Sequence, residues 1–200
     1  MITASDLRHF RRVNIETFDK ILSKVLTDCL PGDIIALRKV YEGGNMSIPI
    51  NIDDLINQRV VESTRIEFKS DWNPNPIIHS ICAFANDIDN VGGGYIIIGV
   101  EEENGSPVFP VKGIKQDRID GILKELIGFC HCIEPLYNPV VEPVLFQGVY
   151  IIVVWITGGY GRPYKASKDV FTEKSNKLYY IRKFSSTIVA SSEEEKQLFY

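Results

Sequence analysis

Val140-Val141-Glu142-Pro143-Val144-Leu145-Phe146-Gln147-Gly148-Val149-Tyr150-Ile151-Ile152-Val153-Val154-Trp155-Ile156 is the stretch whose reading decides the fold. Two runs rich in β-branched and aromatic residues flank Gln147-Gly148. This is the pattern of two strands, Val140 to Phe146 and Val149 to Ile156, closed by a tight hairpin turn. Helices and strands alternate along the rest of the chain, but a hairpin requires antiparallel pairing. A purely parallel sheet is therefore excluded, and the expected class is α+β, a mixed β-sheet flanked by helices.

Working outward, Tyr95 to Val100 is apolar on both faces and reads as a central strand. Gly92-Gly93-Gly94 precedes it. These glycines enter a strand, whereas a phosphate-binding loop enters a helix with Gly-Lys-Ser/Thr, so no ATP motif is present. They relieve crowding where the loop turns into the sheet. Asn73-Pro74-Asn75-Pro76 starts a helix that continues from Ile77 to Asn86 with a broad apolar face. Gln116 to Phe129 is amphipathic through Ile119, Ile122, Leu123, Leu126 and Ile127. Arg65 to Lys69 alternates charge with Ile66 and Phe68, the period of a half-buried strand. Leu178 to Arg182 is a further strand, Ser191-Ser192-Glu193-Glu194-Glu195 a capped helix start, and Ile52 to Asn57 a short helix. Residues 1–45 differ in character. Ile15 to Leu30 has helical spacing, Pro31-Gly32 stops it, and Gly43-Gly44-Asn45 reads as a linker. The expected organisation is an N-terminal helical extension over 1–45 and the main domain over 46–200.

The net charge of −4 argues against a wholly basic nucleic-acid coat. Charge is uneven, however: Arg162 to Lys183 holds seven Lys/Arg against Asp169 and Glu173, a local surplus of +5. Cys29, Cys82, Cys130 and Cys132 form no Cys-x-x-Cys pair and no secretory signal opens the chain, which points to a reduced cytoplasmic setting. Cys130-His131-Cys132 lacks a second ligand pair at zinc spacing. No apolar stretch approaches the roughly 18–20 residues of a membrane helix.

Glu62-Ser63-Thr64-Arg65-Ile66-Glu67-Phe68-Lys69 holds two carboxylates an odd number of residues apart, so they converge only if Glu62 precedes the strand. Glu67 shares its strand face with Arg65 and Lys69; its plain structural reading is a surface carboxylate between two cations. Glu101-Glu102-Glu103 reads structurally as a charged turn after the buried strand. If Glu62, Glu67 and Glu101 gather at one sheet edge, they suit Mg²⁺ or Mn²⁺, which prefer oxygen ligands and activate water toward a phosphate.

Val61-Glu62-Ser63 with Glu67-Phe68-Lys69, Ile81-Cys82-Ala83-Phe84-Ala85-Asn86, Gly93 to Glu101 and Tyr179-Tyr180-Ile181-Arg182, in that order, resemble the Schlafen AlbA-like domain, also called the divergent AAA domain of bacterial transcriptional regulators. The match runs from about Asp53 to about Leu198. The resemblance implies an α/β-mixed domain that associates with DNA or RNA. In the animal relatives it implies an endoribonuclease with a three-carboxylate metal site. Glu62 and Glu67 match the first two carboxylates and Glu101 the third, where the family more often has Asp. Those nucleases clasp RNA between two lobes, which this chain would imitate only as a homodimer. Bacterial relatives often continue into a winged-helix region. Ending at Tyr200, the chain reads as a minimal member or a fragment.

The leading expectation is a nucleic-acid-binding, DNA-associated module of a bacterial transcriptional-regulator-like protein. Lys69, Lys165, Arg182 and Lys183 would contact the nucleic acid, and Tyr164, Tyr179 or Tyr180 would stack or pack. The alternatives are a metal-dependent endoribonuclease using Glu62, Glu67 and Glu101, and a protein-interaction or dimerisation module without catalysis.

Overall fold

Strand β2 (Gly94–Ile98) is buried along its whole length and carries a mixed sheet on both sides. The computed structural model describes residues 48, 50–57 and 65–199. The extension expected over 1–45 and Glu62 lie outside the described residues. The compact unit holding the described fold spans Asn51–Tyr200.

The short helix α1 (Ile52–Asn57) opens this unit and buries Leu55 and Ile56. Strand β1 (Ile66–Lys69) pairs parallel to β2, with Glu67 opposite Ile96. On the other edge of β2 lies β7 (Val149–Ile156), antiparallel, and β6 (Val140–Phe146) closes the sheet, order β1-β2-β7-β6. The hairpin falls where the sequence puts it: Phe146 pairs with Val149, and Gln147 and Gly148 both take positive φ (48° and 84°). That conformation matches the strand twist in two-residue turns. One parallel pair among antiparallel ones makes the sheet mixed and the class α+β.

A second sheet is antiparallel throughout, order β10-β9-β8-β5: β5 (Ile133–Glu134), β8 (Lys165–Ser167), β9 (Lys177–Lys183) and β10 (Ser186–Val189). Glu102–Glu103 (β3) and Ser106–Pro107 (β4) form a separate small hairpin. Glu101-Glu102-Glu103 is thus not a simple turn; two of the three pair as a strand.

Helix α2 (Pro74–Asn86) lies between the sheets. Pro74 sits in its first turn, where a missing N–H costs nothing. The helix touches β8, β9 and β10 of one sheet and β2 and β7 of the other. Ile77, Ile78, Ile81 and Phe84 share one core with Ile96, Ile98, Ile152 and Val154 below and Ala166 and Tyr180 above. Burial of each such side chain contributes about 1.5–3 kcal/mol before entropy is counted, so the sandwiched helix is the main apolar tie between the sheets. Gly94 is required by this packing: a Cβ there would stand 2.2 Å from the Phe84 ring. Helix α3 (Gln116–Cys130) adds Ile122, Leu126 and Cys130 to the core. Helix α4 (Ser192–Leu198) caps the far face of the second sheet, where Leu198 packs with Ile181 and Ala190. Among the described residues no helix is long and apolar enough to cross a membrane.

Candidate functional site

Alternation along β1 sends Ile66 and Phe68 to one face and Glu67 and Lys69 to the other, the face that meets α2. Glu67 is therefore not a surface carboxylate. It is 4% exposed, held between the two sheets, and each oxygen is engaged. Ser80 of α2 donates its hydroxyl to Oε1 at 2.8 Å, and the Lys69 ammonium lies 2.6 Å from the same oxygen. Arg182 of β9 donates from Nη1 to Oε2 at 2.6 Å. The Thr187 hydroxyl of β10 lies 3.0 Å from both the Ser80 Oγ and the Arg182 Nη1. The guanidinium carbon stands 4.8 Å from the Phe84 ring centroid, over its face. β1, α2, β9 and β10 thus meet at one carboxylate. Burying two charges costs several kcal/mol per ion; mutual attraction and hydrogen bonds offset this only when geometry is good. Here both partners are nearly dry and the bonds short, so the cluster works as a clasp between the sheets.

Of the other two expected carboxylates, Glu62 lies outside the described residues and Glu101 does not join it. Glu101 is exposed, beyond the end of β2, and its carbonyl accepts from the Val108 N–H at 2.8 Å. Among the described residues, no group of three or more His, Cys, Asp or Glu side chains is placed to hold a metal ion. A metal drawing on Glu67 would have to displace Lys69 or Arg182 from its oxygens. Among the described residues, the groups around that carboxylate are two cations and a hydroxyl, which do not fit Mg²⁺ or Mn²⁺.

The cations expected at a nucleic acid separate by the pleat of the second sheet. Arg182 points inward and is 5% exposed, so it belongs to the clasp. Tyr180, on the same inward face, is buried and stacks on His79 at 4.1 Å between centroids; burial pushes its hydroxyl pKa up. Burial also lowers the His79 pKa, opposed by the Ser167 carbonyl that the ring meets at 2.9 Å. Tyr164 is buried as well. Neither Tyr164 nor Tyr180 is placed to stack on a base.

The outward face reads differently. Lys177, Tyr179, Ile181 and Lys183 alternate along β9, with Ile181 under Leu198 and Tyr179 against Phe199 of the C-terminal segment, and Lys165 of β8 lies opposite Tyr179 in register. Lys177 and Lys165 share Glu134 of β5, at 3.0 and 3.8 Å. The Lys177 hydrogen bond, then the charges of Lys177 and Lys165, hold the Glu134 carboxyl below its ordinary value. One carboxylate against two ammonium groups leaves a positive surplus. Lys183 pairs with Glu194 of α4. Lys168 and Lys174, on the segment joining β8 to β9, are exposed. Lys177 is the member of this face that sequence reasoning passed over. Its signal was its even spacing from Tyr179 and Lys183; the odd offsets of Arg182 from the same two residues put that side chain on the other face.

The described part is thus an α+β domain with a helix layered between a mixed and an antiparallel sheet, clasped by a buried ion pair and carrying a group of lysines on the outer side of the second sheet. The family model described as Schlafen, AlbA_2 matches residues 62–191, and the chain belongs to that family, which is nucleic-acid-related. No curated protein matches the chain. Among solved structures, the N-terminal domain of a RecG-related protein from Nitrosomonas europaea is 25% identical. The likeness covers 62% of this chain and 76% of that one, with a TM-score of 0.43. The DIP2311 protein from Corynebacterium diphtheriae is 17% identical over 64% of this chain, with a TM-score of 0.44. The match spans 25% of that protein's length.

Proposed function

We propose that the domain binds nucleic acid, with duplex DNA as its ligand in a bacterial transcriptional-regulator-like protein, at the β8-β5 side of the outer face of the second sheet, which α4 leaves open. The observation that carries the reading is Lys177 and Lys165 on the part of that face that α4 leaves open, extended by Lys168 and Lys174; beyond them Tyr179 meets Phe199, Ile181 lies under Leu198, and Lys183 pairs with Glu194. Lysines on a strand face contact phosphates as point charges and fix register without reading sequence. Family membership over residues 62–191 supports the same ligand class. The nuclease alternative needs a second carboxylate beside Glu67; Glu62, the residue it assigns there, lies outside the described residues, and Glu101 stands exposed beyond β2.

The test is fluorescence anisotropy with a labelled 20-base-pair duplex, and with transfer RNA, at 50 and 200 mM salt. Three phosphate contacts give a slope near −2.7 in log K against log salt, so the fourfold rise in salt weakens binding about 40-fold. Joint Lys165→Gln and Lys177→Gln substitution lowers that slope by about 2. Absence of binding at 50 mM, or a slope the double variant leaves unchanged, overturns the assignment. Preference for the transfer RNA moves the ligand from DNA to RNA.

A further inference from the structure

Between β7 and β8 the chain runs Gly158-Gly159-Tyr160-Gly161-Arg162, and Tyr160 has a relative exposure of 106%. A tyrosine so placed is often the tip of a loose loop, but the geometry beneath this one is closely determined. The Gly159 N–H donates to the Ala85 carbonyl at the end of α2 at 2.8 Å. The Gly161 N–H donates to the Tyr164 hydroxyl at 3.0 Å. Arg162 donates from Nη1 to the Asp87 carbonyl at 3.1 Å. Tyr164 lies buried under the loop and meets Tyr137 edge to face at 5.4 Å, while the Tyr137 hydroxyl donates to the Thr157 carbonyl at 2.8 Å. A Cβ on Gly159 would fall 2.2 Å from the Tyr164 ring, so only glycine allows the backbone to sit that close. With the ring of Tyr164 filling the space below Gly159 and Gly161, the side chain between them is directed into solvent.

The loop therefore presents one aromatic ring on a braced base, with little ordering left to be done on binding. Arg162 is also exposed and follows two residues later, within about 7 Å of backbone. The acid beneath the loop is already engaged: the Asp87 carboxylate accepts from the Val91 and Gly92 N–H groups at 2.9 and 3.0 Å and lies against Gly158, where a Cβ would stand 2.8 Å from its Oδ2. Lys165 of the outer face lies three positions further along the chain. A flat ring in water, with an exposed arginine two residues on and Lys165 three beyond it, suits a nucleobase whose faces are open, with the phosphate of the same strand taken by a cation. Bases stacked within a duplex have no open face to offer.

Resting on the nucleic-acid reading above, we infer that Tyr160 is a stacking residue for an unpaired base, so that the ligand includes a single-stranded segment. The experiment compares the full chain with Tyr160→Ala and Tyr160→Trp, using labelled oligo-dT of 20 nucleotides and the 20-base-pair duplex. Tyr160→Ala weakens oligo-dT binding roughly 5- to 100-fold, leaves its salt slope unchanged and alters duplex affinity less than twofold. Tyr160→Trp keeps the affinity, and its indole fluorescence is quenched by oligo-dT. Wild-type binding with a normal salt slope, together with an unaltered Tyr160→Ala variant, overturns this inference alone. Equal weakening for both probes overturns the unpaired-base assignment. Absence of wild-type binding to either probe removes the nucleic-acid reading and this inference with it.

Discussion

Removing the carboxylate of Glu67 separates two roles that the sequence leaves open, and they differ in sign. In the clasp, Glu67 neutralises Arg182 at 2.6 Å where the two side chains are 5% and 6% exposed. Glu67→Ala leaves a guanidinium buried without its carboxylate and takes the acceptor from Ser80. Breaking one side of a buried pair costs about 3–5 kcal/mol. A domain of this size loses roughly 2–4 °C per kcal/mol, so the melting temperature should fall by about 6–20 °C. Urea unfolding followed by the fluorescence of Trp72 and Trp155, in chelator, measures the change. Glu67→Leu with Arg182→Met should recover at least half of the loss, because apolar replacement of a buried pair is often near neutral. A carboxylate kept for a metal or a substrate behaves in the opposite way: its loss relieves a destabilised site, and the metal-free protein becomes more stable. Glu67→Ala unfolding at or above the wild-type midpoint in chelator would refute the clasp.

Asn86 gives a second stability prediction. It is fully buried, donates to the Tyr164 and Tyr180 carbonyls at 2.8 Å each, and accepts from the Tyr164 N–H at 2.6 Å. Asn86→Ala strands these groups at about 1–3 kcal/mol for each one left unsatisfied, and hydrogen exchange at the Tyr164 amide should quicken in step with the loss. At the end of the chain, Glu194 closes a capping box with Ser191 and pairs with Lys183. The Lys183 hydrogen bond first, then those of Ser191, hold its pKa down from 4.5 to about 2. A depressed carboxylate stabilises the fold above its unfolded value, so the difference between wild type and Glu194→Gln is full above about pH 4.5 and vanishes as pH falls through about 2. A difference that grows on acidification contradicts the assignment.

The long elements were legible because their patterns are local. The 140–156 hairpin carries its own turn, α2 its prolines, and α4 its capping box, in which the Ser191 hydroxyl accepts from the Glu194 N–H at 3.4 Å. The strands that escaped notice are short and paired to distant segments. Ile133 pairs with Ala166, and β10 follows a turn at Phe184, which takes φ 54° without glycine or asparagine to announce it. The second sheet was hidden for this reason, and with it the cover over Glu67. Alternation in β1 correctly placed Lys69 beside Glu67, but only contact between β9 and α2 decides that this face is dry. Arg182 was legible in part: its offset from Lys183 places the two on opposite faces, so both cannot serve one ligand.

Pairing alone does not decide which cations are available to a phosphate. Lys165, Lys177 and Lys183 each meet a carboxylate, as does Arg182. What differs is the solvent around each pair. The Lys177–Glu134 pair is 30% and 56% exposed, and an exposed pair contributes about 0–1 kcal/mol. Exchanging Glu134 for a phosphate therefore costs little, and counterion release favours the exchange. Withdrawing Arg182 from Glu67 would instead leave a buried carboxylate with one cation fewer and forfeit the contact with Phe84. β9 thus anchors through Tyr180 and Arg182 on its inner face, and that anchoring fixes the spacing of Lys177, Tyr179 and Lys183 on the outer one. The two faces of one strand divide the work, and the same alternation that excludes Arg182 from the ligand is what holds the lysines in place.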